Sequence, residues 1–315
     1  MTGIQSPSPR TEPVRAGHAA PRIWYPDGTT HHPLRRGLLR HSFDTHPLLQ
    51  LDELRALAKR LEPAGQTKFL SQGAKADSAF DTLTAPQSGR SIDDIFDRIE
   101  EPGSWISMYN VSTDPAYGEL LSSALESTRE FLDPVDPGTF IVEGFIFVSA
   151  PPSVTPFHID RENNFLIQIR GRKRFKVWAP DDRKTVPLEA VERFILYGDL
   201  SGVKYRDDVL PRAMDVELGA GEGIYMPSTS PHLISTEKHW VKPGDGVSIT
   251  IGINFYTANT RRTANIHALN QLLRKAGTEP SAPGMSALDA LKYPMAKAVV
   301  AVNKTVRGYK PQRGM

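Results

Sequence analysis

Two hydrophobic periods divide the chain. In residues 51–61, LDELRALAKRL, leucines recur at three- and four-residue intervals, which predicts a helix. Residues 91–101, SIDDIFDRIEE, open with Ser91 three residues before Asp94, a capping signal for a second helix. Residues 114–132, DPAYGELLSSALESTREFL, predict the strongest helix of the first half, with Pro115 near its start. From Gly138 the period shortens to two. TFIVEGFIFVSA (139–150), NFLIQI, RFKVWAP, DVELGAGEGIYMP and GVSITIGINFY are short, rich in β-branched and aromatic residues, and separated by Gly or Pro turns. Roughly 120 residues of such strands predict a sandwich or barrel. Helical spacing returns after Tyr256, in 261–277 and 285–308. Pro294 interrupts the second of these, and a kink or break is expected there.

The expected organisation is therefore helices, a β core, and helices again, with no internal repeat. Residues 1–22 are rich in Pro, Ser, Arg and Gly and read as a disordered arm. Residues 23–135 read as a helical region packing on the core, 136–258 as the β core, and 259–315 as the C-terminal helices.

Composition narrows the chemistry. Of 315 residues, 39% are hydrophobic and 23% charged, and the net charge is +2. That balance argues against a nucleic-acid partner, because phosphate neutralisation needs a clear basic excess. There is no cysteine, so thiolate metal sites, disulfides and cysteine nucleophiles are excluded, and any metal must sit on imidazole and oxygen ligands. No apolar run approaches the ~20 residues of a membrane span. The first 22 residues lack the apolar core of a secretory signal, so the expected address is cytoplasmic.

Candidate chemistry concentrates in residues 155–175, TPFHIDRENNFLIQIRGRKRF. His158 and Asp160 are two apart, so on a strand they share a face. Nine histidines and twenty aspartates in this chain give about 0.6 such pairs by chance, so the pair alone carries little weight. Gly171-Arg172 suits a two-residue hairpin turn pairing Arg170 with Lys173, Gln168 with Phe175 and Leu166 with Val177. In that register Asn164, Leu166, Gln168, Lys173 and Phe175 face the sandwich interior. Phe165, Ile167, Ile169 and Trp178 face the flanking helices. A lysine inside needs an anion. Downstream, a Gly-rich turn, a strand and a proline lead to His232. In VSITIGINFY, Ser248, Thr250, Gly252, Asn254 and Tyr256 share a face small and polar enough to leave room for a ligand.

Two histidines and a carboxylate form a facial triad with open coordination positions, the ligand set of non-haem Fe(II) oxygenases. A 2-oxoacid can fill two of those positions and O2 a third. The far carboxylate of 2-oxoglutarate then needs a cation and hydroxyl donors, for which Lys173 and Thr155 are suited.

These residues resemble the JmjC/cupin-like 2-oxoglutarate oxygenases, and the asparaginyl hydroxylases of that family are closest in motif. Val154, Thr155, Pro156, His158, Asp160, Gly171 and Lys173 match the family pattern at its spacing, as do Asn164, Gln168 and Ile169 between them. YMPSTSPH resembles the segment ending in the second metal histidine, His232, and ITIGINFY the strand that places Asn254 in the cosubstrate pocket. The resemblance spans about residues 139–257. It implies a double-stranded β-helix (jelly-roll) core, mainly β with flanking helices. It also implies Fe(II) on His158, Asp160 and His232, and 2-oxoglutarate held by Thr155, Lys173, Asn164 and Asn254. The implied reaction couples decarboxylation of 2-oxoglutarate, with O2, to succinate and CO2 and to hydroxylation of an amino-acid side chain. The substrate would be a protein, a peptide or a small molecule.

Three features depart from the family pattern. Ser230-Pro231 replaces an aromatic pair, residues 236–246 form an inserted loop, and the first 135 residues offer no counterpart of the family's cosubstrate-binding tyrosine. Two rival readings are a non-catalytic cupin sensor of a metal or metabolite, and a zinc or manganese cupin isomerase or hydrolase. The apolar C-terminal helices either pack across the jelly roll or form a homodimer, as the resemblance implies. His31 and His32 lie in a Pro/Gly/Arg loop and are not taken as ligands, and the basic run RGRKRFK reads as a turn rather than a localisation signal. His239 and Trp240, in the inserted loop, are candidates to line the substrate entrance.

Overall fold

The computed structural model describes residues 20–70, 73–79, 84–85, 91–237, 246–284, 288–306 and 312–315. Residues 1–19 of the proposed arm and the loop residues His239 and Trp240 thus fall outside the described residues, whereas Arg22 of the arm is bonded to Ser42. Before the core come β1 (Ile23–Trp24), β2 (Gly37–His41), α1 (Leu51–Leu61), β3 (Thr67–Leu70), β4 (Thr84–Ala85), α2 (Ile92–Asp97), β5 (Trp105–Met108), α3 (Pro115–Glu126) and α4 (Arg129–Leu132). The core holds β6 (Phe140–Ser149), β7 (Ser153–His158), β8 (Asn163–Arg170), β9 (Arg172–Val177), α5 (Leu188–Tyr197), β10 (Met214–Gly219), β11 (Glu222–Met226), β12 (His232–Thr236) and β13 (Ser248–Tyr256). α6 (Ala258–Lys275) and α7 (Asp289–Val306) follow.

The local signals form as read. α1 buries Leu54, Leu57, Ala58 and Leu61, one helical stripe. The Ser91 side chain accepts from the Asp94 amide while the Asp94 carboxylate accepts from the Ser91 amide, a complete capping box. Asp114 caps α3 ahead of Pro115. The expected 114–132 helix is split, however, into α3 and α4. Of the kink or break expected at Pro294, the break does not occur, because α7 runs through it as one helix.

From β6 to β13 the strands build two facing antiparallel sheets, ordered β11-β8-β13-β6 and β10-β9-β12-β7. That is a jelly roll. The region before it is less helical than its spacing suggests. β2 adds to β11 and β5 to β6, extending the first sheet to nine strands, β1-β2-β11-β8-β13-β6-β5-β3-β4.

The outer face of this large sheet carries Phe165, Ile167, Ile169, Ile249, Ile251, Ile253 and Phe255 into one core with α1, α2 and α3. The small sheet is backed by α5 and α6, through Phe157, Ile159, Trp178, Phe194, Ile195, Ala264 and Ala268. α5 has no counterpart among the expected elements. Its signals are brief: Pro187 before it and Gly198 after it, at φ +75°.

The expected hairpin across Gly171 does not form. β8 pairs with β11 and β13, whereas β9 pairs with β10 and β12. Gly171 is instead the corner at which the chain crosses from one sheet to the other. Its φ is +68°, and a Cβ would come within 2.8 Å of the Val247 carbonyl oxygen, so this position favours glycine. The division of faces survives the change of partners, because both strands still turn their inner side chains towards the space between the sheets. Leu166, Phe175 and Val177 pack there. Trp178 lies with α5 rather than with Phe165.

Candidate functional site

β7 and β12 are neighbours in the small sheet, and their register sets His158 opposite His232. The imidazole centroids are 4.0 Å apart. Each ring is oriented by backbone: His158 Nδ1 donates to the Pro156 carbonyl at 2.7 Å, and His232 Nδ1 to the Ser230 carbonyl at 3.0 Å. A carbonyl only accepts, so a proton is assigned to Nδ1 in both rings, and Nε2 is the atom each ring would offer to a metal. Asp160 Oδ1 lies 3.8 Å from His158 Nε2, and Oδ2 lies 3.6 Å from His232 Nε2. One ligand atom from each residue falls within 4.8 Å of the others, the only such group among the described residues.

The loops that carry these groups are tied together. The Thr229 amide donates to the Asp160 carbonyl at 2.8 Å, and Thr229 itself is in the left-handed region at φ 63°. Asn163 Oδ1 accepts from the Ser228 amide at 3.0 Å, and Nδ2 donates to Asp136 Oδ2 at 3.1 Å.

Burial, reinforced by the neighbouring His232, holds the His158 imidazole well below its ordinary pKa, so it is neutral and ligand-ready at pH 7. The Asp160 carboxyl is pushed up by enclosure; the 29% of its side chain that is accessible opens on a cavity rather than on bulk water. Neutral imidazole, a carboxylate and converging lone pairs fit a divalent first-row metal.

That cavity has a volume of about 160 Å3 and brings together His158, Asp160, His232, Thr155, Lys173, Asn164 and Asn254. Lys173 is 4% exposed, with its Nζ 5.8 Å from the Phe147 ring. No carboxylate stands within ion-pair distance of it among the described residues, and burial brings its pKa down to about 7. Asn164 and Asn254 face each other across β8 and β13, each with a buried Oδ1 that has no partner. Gly252 leaves space beside them; a Cβ there would come within 3.3 Å of both oxygens. Phe145, Phe147, Leu166, Met226 and Ile234 supply apolar wall.

Two further lining residues escaped the sequence. Tyr109, just past β5, packs edge-on to Phe145 at 5.3 Å and enters the cavity from the region ahead of the jelly roll. Glu162 stands at the opposite end, accepting from the Tyr256 hydroxyl at 2.5 Å. No motif surrounds Tyr109, and Glu162, two residues past Asp160 inside the 155–175 stretch, has no role assigned to it there. The residues set aside stay apart. His31 Nδ1 is bonded to the Tyr25 hydroxyl at 2.9 Å, and His32 accepts from the Leu34 amide. Arg174 pairs with Asp215. No helix among the described residues is long and apolar enough to cross a membrane.

A search of curated proteins finds no match to this chain. Among solved structures, YcfD of Escherichia coli is similar at 17% identity over 88% of this chain and 66% of that one, with a TM-score of 0.45. The E. coli ribosomal oxygenase YcfD in complex with cobalt and 2-oxoglutarate is similar at 18% identity over 87% and 64%, with a TM-score of 0.42. The chain thus spans less than two thirds of the length of these solved chains. Nothing about its chemistry follows from likenesses of that degree. A scan of protein families is stronger: residues 52–261 match the cupin-like domain. That match takes in the elements from α1 onward as well as the roll itself, and the chain belongs to the cupin-like domain family.

Proposed function

We propose that this chain is an Fe(II)- and 2-oxoglutarate-dependent hydroxylase acting on an amino-acid side chain in a protein, peptide or small molecule. One observation carries the reading: a buried lysine with no carboxylate partner among the described residues shares one cavity with two histidines and an aspartate. An unpaired buried ammonium is costly unless a ligand supplies the anion. The motif likeness to the asparaginyl hydroxylases points to the same pair of ligands.

Iron, when bound, would supply activation of O2, coupling decarboxylation of 2-oxoglutarate to hydroxylation of a C–H bond. His158 and His232 would hold the metal through Nε2, and Asp160 through a carboxylate oxygen. Lys173 would take the distal carboxylate of 2-oxoglutarate with a charge-assisted bond, aided by the Thr155 hydroxyl and the amides of Asn164 and Asn254. Phe145, Phe147 and Leu166 would keep water from the reacting groups. Succinate release that requires Fe(II), 2-oxoglutarate and O2 together tests the reading. A protein that binds metal and 2-oxoglutarate but releases no succinate would be a sensor instead.

The C-terminal helices support a homodimer. Ile266 and Leu269 of α6 pack on Ala296 of α7, while Leu291, Met295 and Val302 remain 70%, 59% and 57% exposed. Such a row of apolar side chains is covered when α7 meets a second copy. Light scattering should find a dimer, and a monomer at micromolar concentration would remove that part of the proposal.

A further inference from the structure

The cavity is polarised along its length. On β6, Glu143, Phe145 and Phe147 alternate onto the face shared with Asn254, Gly252 and Thr250 of β13. Phe147 sits beside the Lys173 ammonium at one end. Glu143 lies opposite Asn254 at the other end, behind the lining and close enough to the lining residue Glu162 to repel it. Arg161, next to Glu162 in the chain, bonds the Phe194 carbonyl through its guanidinium and acts on Glu162 and Asp160 only through space, without an ion pair to either. Asn254 adds a buried carbonyl oxygen without a partner. Its amide nitrogen is the end suited to an anionic cosubstrate, which leaves that oxygen as an acceptor.

This acceptor-rich end already holds a cation, and the cation is the chain's own. Arg313 forms an ion pair with Glu143. Beside it Gly314, at φ +87°, lies so close to the Tyr256 ring that a Cβ would overlap it. Met315 packs on the cluster that contains Phe157 and Ile159, neighbours of His158. The segment 312–315 thus packs on Glu143 and Tyr256, and the Tyr256 hydroxyl is bonded to Glu162, which lines the cavity.

We infer that the substrate presents a cationic side chain, a guanidinium or ammonium on a peptide, to Glu143, and that Arg313 holds this place until the substrate displaces it. The inference rests on the hydroxylase reading for what then happens to the substrate. Its physical ground is separate. Glu143 is buried, and a neutral or acidic side chain displacing Arg313 would leave that carboxylate without a partner. A guanidinium exchanges one charge-assisted pair for another.

The probes are two peptides, acetyl-Gln-Arg-Gly-Met-amide and its citrulline counterpart, which keeps the shape and loses the charge. Calorimetric titration into the full chain, loaded with Mn2+, with and without 2-oxoglutarate, reads their affinities. The arginine peptide should bind Arg313→Gln at least about tenfold more tightly than the unaltered chain, and at least about tenfold more tightly than the citrulline peptide. Glu143→Gln should erase the preference for arginine, and Glu143→Asp should keep most of it. Equal binding of both peptides, or an arginine preference untouched by Glu143→Gln, overturns the inference. Titration of Mn2+ and 2-oxoglutarate in the same samples separates the two readings. Loss of peptide preference with normal 2-oxoglutarate binding defeats the substrate class alone. Peptide preference without 2-oxoglutarate binding defeats the hydroxylase reading alone.

Discussion

The small sheet delivers Thr155, His158, Lys173 and His232 to the cavity from strands of five or six residues. The large sheet delivers Asn164, Thr250, Gly252 and Asn254 from strands of eight and nine. Both inner faces meet the same cavity, yet their chemistry differs. The short strands bring the imidazoles and the ammonium. The long strands bring amides, a hydroxyl and a glycine, and their outer faces bury the isoleucine and phenylalanine rows against three helices. Binding groups can be changed on the small sheet without touching that larger core, so loss of the site and loss of the fold should be separable.

The largest expected effect is on the small-sheet side. His158→Ala or Asp160→Ala removes one of three converging ligands and should abolish tight metal binding and turnover. The melting temperature should move by only roughly a few degrees, since no core contact is lost. Full activity in either variant after metal-free purification would sink the assignment. The reciprocal experiment strikes the large sheet. Phe165 is fully buried against Phe255, Tyr225 and Phe131, at ring separations of 4.9, 5.4 and 6.2 Å. Phe165→Ala should cost about 3–5 kcal/mol of stability, with metal affinity within about threefold of normal in the folded fraction, because the ligands lie on other strands. A collapse of metal affinity at temperatures where the variant is fully folded would show that the two sheets are not independent.

The contrast also explains what the sequence discloses. Alternation along β8 and β13 is local, so the faces of Asn164, Lys173 and Asn254 are readable without knowing which strand lies alongside. Partner choice is not local. Gly171-Arg172 has the residues of a hairpin turn, and only the approach of Val247 reveals a corner between sheets. The capping box at Ser91 is legible for the same reason that α5 is not: one has paired chemical signals three residues apart, the other only a proline and a glycine around ten residues. Tyr109 and Glu162 reach the cavity through tertiary packing. For Tyr109 that means a strand added from outside the roll, which no spacing within the chain encodes.

The next effect is one of charge and carries a sign in pH. Burial lowers the Lys173 pKa from 10.5 to about 7 in the ligand-free protein. Below pH 7 the lysine is protonated in folded and unfolded chains alike, and the folded state carries the full penalty of burying the charge. Between about 7 and 10.5 the unfolded chain binds more protons, so this lysine makes stability rise with pH. Binding of 2-oxoglutarate, which needs the ammonium, should weaken over the same range. Lys173→Met should flatten both trends and lower 2-oxoglutarate affinity at pH 6.5 by at least about tenfold. Thermal melts and titrations across pH 6 to 10 check the opposed slopes. Parallel slopes would mean that the lysine is not the anion's partner.

The smallest effect compares two threonines that line the cavity from facing sheets. Thr250 on the large sheet donates its hydroxyl proton to Gln168 Oε1 at 2.8 Å. Gln168 in turn donates to the Ser248 hydroxyl at 2.7 Å and to the Arg170 carbonyl at 2.6 Å, so the hydroxyl belongs to a closed, buried network. The Thr155 hydroxyl on the small sheet has no such commitment among the described residues and remains open to a ligand. Thr155→Val should therefore weaken 2-oxoglutarate by about three- to tenfold, the worth of one hydrogen bond of roughly 0.5–1.5 kcal/mol, with little change in stability. Thr250→Val should do the reverse. It strands the Gln168 carbonyl oxygen in the core at a cost of about 1–3 kcal/mol, while 2-oxoglutarate affinity changes less than in Thr155→Val. Equal loss of ligand affinity in both variants would place the distal carboxylate between the sheets rather than against β7. Its contacts would then have to be reassigned to include Thr250.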